Sequence, residues 1–243
     1  TLQGDANKNE SGNMDVVYHN ESTGTSEKVV DITKIPKENV SLAIKQFAEG
    51  SPTLEKCLQT IYDLGIVTRA CCKGNHIEVN EDNYGTRVNI NSNAYIAFEK
   101  NSNWQAYLSP QLINDEYVAI EDDFIIHYGE DHDMFFEMLT RNFMTGVKDN
   151  KSFLEEKKSS DSREAIDKLA KQSYLFSLKK NGFSDEQISM LLLLKSKFEK
   201  VYFDNTLSDT DAIRISNELI HEYNETLLQY FNENMQQTAE KLR

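Results

Sequence analysis

The sequence lacks the features that mark several common classes of protein. It contains only three cysteines in 243 residues, and such a small, odd number does not build a disulfide framework. We therefore expect reduced thiols in a reducing compartment. No apolar run approaches the roughly 18 to 20 residues that span a bilayer, and no basic segment followed by an apolar one opens the sequence. These absences predict a soluble, cytoplasmic protein that does not enter a membrane.

Basic residues are also scarce. The chain has 26 Lys and Arg against 40 Asp and Glu, which gives a net charge of −14. Nucleic acids are bound by clustered Lys and Arg, and because the sequence has no basic stripe we expect no nucleic-acid partner. The sequence also has no P-loop, G-x-G-x-x-G, G-x-S-x-G or H-E-x-x-H pattern. The easily recognised nucleotide, hydrolase and zinc-protease sites are therefore excluded, and no cofactor is identified.

The composition divides the chain into four predicted parts. Residues 1–28 are polar and nearly free of large apolar side chains, which is typical of a mostly disordered segment, with a short strand at MDVVYH as the alternative. Residues 30–147 mix helix and strand patterns and are predicted to form an α/β domain. A charged linker is expected at 148–161, before a helical region at 162–243. The predicted fold class is α+β or α/β, with a small mixed sheet, covering helices and an all-helical C-terminal region.

Local signals place the main elements of the α/β domain. Ser51 is a predicted N-cap, with Pro52 at the first position of the helix that follows. The stretches IVTRACC, AYIAFEK, YVAI and DFIIHYG are predicted strands, and a polar loop is expected at 75–93 between the first two. Near the C-terminus, Ser184 and Gln187 have the spacing of a capping box.

The stretch RACCKGNH, residues 69–76, has the clearest pattern for chemistry. In an extended strand, Cys71 and Cys72 point to opposite faces, while Thr68 and Cys72 share one. Gly74 permits a sharp turn or a close approach, so that Cys72 and His76 would flank the turn. A cysteine beside a histidine suits nucleophilic catalysis, and we predict these two as catalytic residues. The alternative is that the thiols only pack, as small hydrophobes, while His76 lies on a solvated loop.

Part of the sequence resembles a group of uncharacterised bacterial and phage proteins. Their pattern is a helix, then G-I/Y-x-T-x-x-C-C-x-G-H, then a Y-I-x-F strand, and the resemblance covers residues 47–99. Residues that fit it are Gly65, Thr68, Cys71, Cys72, Gly74, Tyr95 and Phe98. His76 fits if Asn75 is an insertion. The stretch is more distantly similar to the S-S-C-S-G-R motif of the wybutosine-synthesis tRNA methyltransferase family, although no Arg follows Gly74.

The resemblance implies a bacterial origin and a site location rather than an activity. Thr68, Cys71 and Gly74 are then candidate ligand-contacting residues beside the catalytic pair. A metal site at Cys72 and His76 would need two further ligands, one of which His127 or His132 could supply. The absence of a C-x-x-C pair argues against a tetrahedral zinc site, and no metal ligand is predicted.

Two further features carry candidate functions. His132 lies between Asp131 and Asp133, which suits either a helix cap or a histidine that contacts a ligand. The last helix carries an apolar stripe that suits either a core or a surface for a partner or a second copy of the chain: Leu219, Tyr223, Leu227, Tyr230 and Phe231.

Two functions follow from these patterns. The first is a ligand-binding or catalytic site for a small molecule at the strand-end Cys-Cys-x-Gly loop. The second is a non-enzymatic interaction module that acts through the C-terminal amphipathic helices. The sequence does not decide whether the protein is an enzyme.

Overall fold

The N-terminal residues form a small sheet where the composition predicts disorder. The computed structural model describes residues 4–8, 14–20, 25–29, 32, 35–82 and 85–241. Three antiparallel strands lie at the start, with the second between the other two: β1 Gly4–Lys8, β2 Met14–Asn20 and β3 Thr25–Val29. The strand predicted at MDVVYH is confirmed as β2. The strands β1 and β3 pair with it through backbone hydrogen bonds, which leave no signature in their polar sequences, and this explains why the prediction of disorder differs from the structure there.

Eight helices and six more strands follow among the described residues. In chain order they are α1 Val40–Phe47, α2 Pro52–Asp63, β4 Thr68–Cys72, β5 His76–Asp82, β6 Gly85–Asn91, β7 Ala94–Phe98, α3 Pro110–Ile113, β8 Val118–Ile120, β9 Phe124–His127, α4 His132–Thr145, α5 Lys151–Ser160, α6 Arg163–Lys180, α7 Asp185–Tyr202 and α8 Asp209–Lys241. None of these helices is long and apolar enough to span a bilayer.

The chain divides into two compact units at positions that differ from the predicted boundaries. The first unit comprises residues 1–74 and 92–173, and the second comprises 75–91 and 174–243. The predicted linker at 148–161 contains α5, and the boundary lies farther along, within α6. Charge and serine content suggested a linker, but a helix with exposed polar faces has the same composition.

The first unit has an antiparallel sheet in the order β4-β7-β9-β8. The predicted α+β class is therefore confirmed, although this sheet is antiparallel rather than mixed. The polar loop predicted at 75–93 is instead the hairpin of β5 and β6. Alternating apolar residues at Ile77, Val79, Val88 and Ile90 were a strand signal that the many charged neighbours concealed.

Helices α1, α2 and α4 enclose the core of the first unit with the sheet. The α2 helix begins as predicted. The Ser51 hydroxyl accepts a hydrogen bond from the Leu54 amide at 3.3 Å, and Pro52 has no N–H that would need an acceptor in the first turn. The single tryptophan, Trp104, is 1% exposed and stacks on Phe98 with ring centroids 4.3 Å apart. Its fluorescence therefore reports on the first unit.

A register shift in β4 changes which of its residues share a face. Thr68 pairs with Phe98, but Ala70 pairs with Ala97 and Cys71 with Ile96, so a bulge lies at Arg69. Paired residues project to the same side of a sheet. Thr68 therefore lies on the core face with Cys71, whereas simple alternation grouped it with Cys72.

The second unit packs the β5–β6 hairpin with the end of α6, α7 and α8. Its core includes Val88, Leu178, Leu191 and Leu227. The predicted capping box is confirmed, since the hydroxyl of Ser184 accepts from the Gln187 amide and the Gln187 side chain accepts from the Ser184 amide.

A buried amide fixes the segment that joins α4 to α5. Asn150 is 2% exposed, and its Nδ2 donates to the carbonyl oxygens of Gln105 and Leu108 at 2.8 and 2.7 Å. Nearby, the ammonium of Lys148 donates to the carbonyls of Tyr107, Asn142 and Gly146. These bonds add side-chain donors to carbonyls of the surrounding loop, of which Gln105 also accepts from the Leu108 amide at 3.2 Å.

Replacing Asn150 with alanine should destabilise the first unit. Both carbonyl partners then lose a donor in a buried setting, which costs about 2 to 3 kcal/mol of unfolding free energy. Urea unfolding followed by Trp104 fluorescence measures this loss. The exposed neighbour is the control, since Asp149→Ala should change the free energy by less than about 0.5 kcal/mol. Equal effects of the two substitutions would contradict the role given to the Asn150 amide.

Candidate functional site

The predicted turn after β4 is held by a close approach between Gly74 and His132. Gly74 has a φ of +73°, and a Cβ at this position would lie 2.5 Å from the His132 ring and 2.9 Å from the Ala94 backbone nitrogen. Only glycine tolerates both the backbone conformation and the contact. Two residues predicted for the site, Gly74 and His132, are therefore neighbours.

Cys71 and Cys57 belong to the core of the first unit. The Sγ of Cys71 lies 3.5 Å from the carbonyl oxygen of Phe47, and Cys57 is buried on the inner face of α2. Burial raises the pKa of each thiol to about 12, and the Glu49 carboxylate adds to the rise at Cys71. Because the thiolate is the reactive form, neither residue is suited to nucleophilic chemistry. Cys71 is half-buried and packs against the core, and its predicted contact with a ligand stays a prediction.

Cys72 has a different environment at the end of β4. It pairs with Tyr95, on the sheet face opposite Cys71, and is 9% exposed. Its Sγ and a carboxylate oxygen of Glu49 lie within 4.8 Å of each other. The structure thus places an acidic side chain beside the thiol that the sequence singled out.

Glu49 is a site candidate that sequence reasoning missed. It has a φ of +51°, which is uncommon for a residue other than glycine, asparagine or aspartate. The ammonium of Lys73 donates to the Glu49 carbonyl oxygen at 2.8 Å, and this bond fixes the loop before α2 beside the turn after β4. A backbone held in a sparsely populated conformation is a reason to look for function. In the sequence, Glu49 only precedes Gly50 at the end of a helix and carries no signal.

Thr68 does not reach the turn. It is the first residue of β4, whereas Cys72 is the last, and the register shift places it on the core face with Phe98. The structure therefore gives no support to its predicted contact with a ligand.

His76 begins β5 in the second unit. Its Nε2 lies 3.1 Å from Glu78 Oε1 and 3.1 Å from Asn91 Nδ2. The preceding Asn75 has a φ of +51°, and its side-chain oxygen accepts a hydrogen bond from the Ser177 hydroxyl at 2.9 Å. Cys72 and His76 belong to different units, and their pairing stays a prediction.

His132 forms a buried pair with His127, the other histidine considered as a further metal ligand. The two Nδ1 atoms are 2.8 Å apart, and the Nε2 of His132 is 2.8 Å from the carbonyl oxygen of Ser92. A carbonyl only accepts, so His132 donates from Nε2 and, with both rings uncharged, accepts at Nδ1. His127 then donates from Nδ1 and keeps its lone pair on Nε2. The helix-cap reading of Asp131 is also correct, because its carboxylate accepts from the Met134 amide.

His127 is held in its neutral form. It is 6% exposed and stacks on Phe135, with ring centroids 4.8 Å apart. Its pKa is lowered to about 3, mainly by burial and further by His132, while Asp131 acts in the opposite direction. Burial penalises the charged imidazolium, so the ring is a base that stays unprotonated near neutral pH.

Comparisons with known proteins add no identification. No family model matches the chain, and no curated protein or solved structure matches it. The resemblance drawn from residues 47–99 therefore stays a prediction.

The raised pKa values predict that Cys57 and Cys71 resist alkylation in the folded protein. With a pKa of about 12, only about one thiol in ten thousand is a thiolate near pH 8. Pulse labelling with N-ethylmaleimide, read by mass spectrometry of peptides, should show both labelled only after unfolding. The Cys72→Ser variant isolates Cys71 in its peptide, and protein in urea gives the reference rate. Labelling of Cys71 at that reference rate in the folded state would refute the prediction.

Proposed function

We propose that the turn after β4 binds a thiophilic metal ion of the zinc type. Its ligands are Cys72 and Glu49, which both belong to the first unit. The observation that carries the proposal is the placement of the Cys72 Sγ and a Glu49 carboxylate oxygen within 4.8 Å of each other.

The charge of this arrangement favours a cation over a cysteine nucleophile. Reactive cysteines lie beside Lys, Arg or protonated His, which stabilise the thiolate. Here the nearby group is a carboxylate, and two negative charges at this distance disfavour each other. The Lys73 ammonium binds the backbone oxygen of Glu49. A bound cation would turn the repulsion between thiolate and carboxylate into two attractions.

The residue types fit a zinc-type site with an open position. Thiolate and carboxylate are both zinc ligands, and catalytic zinc keeps a coordination position open for water or substrate. The two protein ligands of the first unit would leave such positions open.

The test is a titration of chelator-treated protein with Cd²⁺, followed by absorbance and native mass spectrometry. We expect one bound ion and a thiolate-to-metal charge-transfer band. Cys72→Ser should abolish the band, while Glu49→Gln should weaken binding by about 10-fold or more, because it removes a ligand.

Cys71→Ala is the matched control, since it removes the adjacent thiol on the opposite sheet face. Its band and affinity should equal those of the original protein. A titration with no charge-transfer band, or a band that persists in Cys72→Ser, would refute the proposal.

A second candidate is an interaction module in the helical unit. The stripe predicted for this role is largely used inside the unit, since Leu227 is 1% exposed and Tyr223 packs against the same core. Large apolar side chains on α7 are exposed instead, among them Met190, Leu193 and Tyr202. Exposed apolar surface of this kind favours association.

Self-association through α7 is tested by sedimentation over a range of protein concentrations. If α7 is the interaction surface, the protein forms a dimer. The dimer should dissociate in a Met190→Ser/Leu193→Ser variant, because the substitutions remove exposed apolar surface. Ile213→Ser on α8, also exposed, is the control. A monomer at every concentration would exclude self-association through this surface.

A further inference from the structure

The His127–His132 pair connects four separate parts of the first unit. His127 ends β9, and His132 begins α4. The His132 ring touches the position of Gly74 and donates to the carbonyl of Ser92. Gly74 is the last residue before the chain passes into the second unit, and Ser92 is the first after it returns. One imidazole therefore contacts both ends of the segment that carries the β5–β6 hairpin.

An added proton has only one place to enter this network. The Nε2 of His132 and the Nδ1 of His127 already donate, and the Nδ1 of His132 accepts. The remaining basic atom is Nε2 of His127, which Gly129 covers so closely that a Cβ there would lie 2.6 Å away. Protonation thus places a full positive charge on a ring that is buried and stacked on Phe135, and burying a charge without a partner is costly.

We propose that the His127–His132 pair is an acid-sensitive clamp, in which proton uptake by His127 releases the start of α4 together with the chain at Gly74 and Ser92. The release gives the charged ring access to water, and it requires only that the neutral, buried pair be incompatible with an added proton. The clamp does not depend on the metal site proposed above.

The described residues that face the pair from the surrounding elements include both charged and uncharged side chains. From the start of α4, Asp131 favours the charged form of His127, and His132 opposes it. Before β8, Tyr117 packs beside Gly129. The β7 strand offers Ala94, which pairs with His127. Beside Gly74, the ammonium of Lys73 is directed to the Glu49 carbonyl.

The direction of the effect follows from proton linkage. Burial lowers the pKa of His127 from 6.5 to about 3, so the open or unfolded state binds the proton first as the pH falls. The closed state is therefore favoured fully above pH 6.5 and progressively less between 6.5 and about 3. Each pH unit in this window multiplies the opening constant by up to about 10-fold.

The experiment compares the original protein with His127→Asn, without added metal. Asparagine can still donate to Nδ1 of His132 but does not take up a proton. Urea unfolding by Trp104 fluorescence and hydrogen exchange of the Met134 and Phe135 amides should be measured between about pH 6.5 and about pH 4.5. After subtraction of the intrinsic pH dependence of exchange, the original protein should show up to about 100-fold more opening at the lower pH.

The His127→Asn variant should lack this increase in opening at low pH, while the His221→Asn variant should keep it. His221 is exposed on α8, and its Nε2 lies 3.0 Å from Glu225. If His127→Asn responds to acid as strongly as the original protein, the clamp is refuted.

An NMR titration of the histidine rings in the original protein covers the case in which His127→Asn does not fold. His127 should stay neutral well below pH 6.5 while the fold is intact. A native His127 that titrates near 6.5 would overturn the proposal.

Discussion

The contact between Gly74 and the ring of His132 is the constraint on which the candidate sites depend. It leaves no room for a side chain at Gly74 and thereby fixes where β4 ends relative to α4. The end of β4 carries Cys72, and the start of α4 carries the histidine pair. A side chain at Gly74 would disturb both groups at once, because close-packed interiors do not absorb an added methyl group without a shift.

Around this contact, two groups of polar residues are kept apart by the sheet register. The bulge at Arg69 turns Cys71 toward the core and leaves Cys72 on the other face, near Glu49. His127 pairs with Ala94 and lies on the core side, where it meets His132. The thiol and the imidazole pair therefore have different environments. On one side an acidic side chain lies beside the thiol, which is the basis of the cation site we propose. On the other side burial disfavours the protonated form of a base.

The sequence was informative where a signal is local. Helix starts were predicted directly, because a capping side chain satisfies backbone donors within one helical turn. This holds for the caps at Ser51, Asp131 and Ser184. Gly74 was predicted to allow a sharp turn or a close approach because the backbone freedom of glycine is also a local property. The bulge at Arg69 was not predictable, because it depends on pairing with a strand that lies about thirty residues away in the sequence.

Glu49 and His127 show why the site itself was only half predictable. Each lacks a motif and becomes significant through a neighbour that is distant in sequence: Cys72 for Glu49, and the Ser92 carbonyl, acting through His132, for His127. The Ser92 carbonyl can only accept a hydrogen bond, and it thereby fixes the tautomer of His132. His132 in turn fixes the tautomer of His127. Its protonation depends on the stacking and burial that β9 and α4 create together. The chemistry of a histidine is thus set by the fold around it, and the sequence could nominate both histidines but not the hydrogen bond that pairs them.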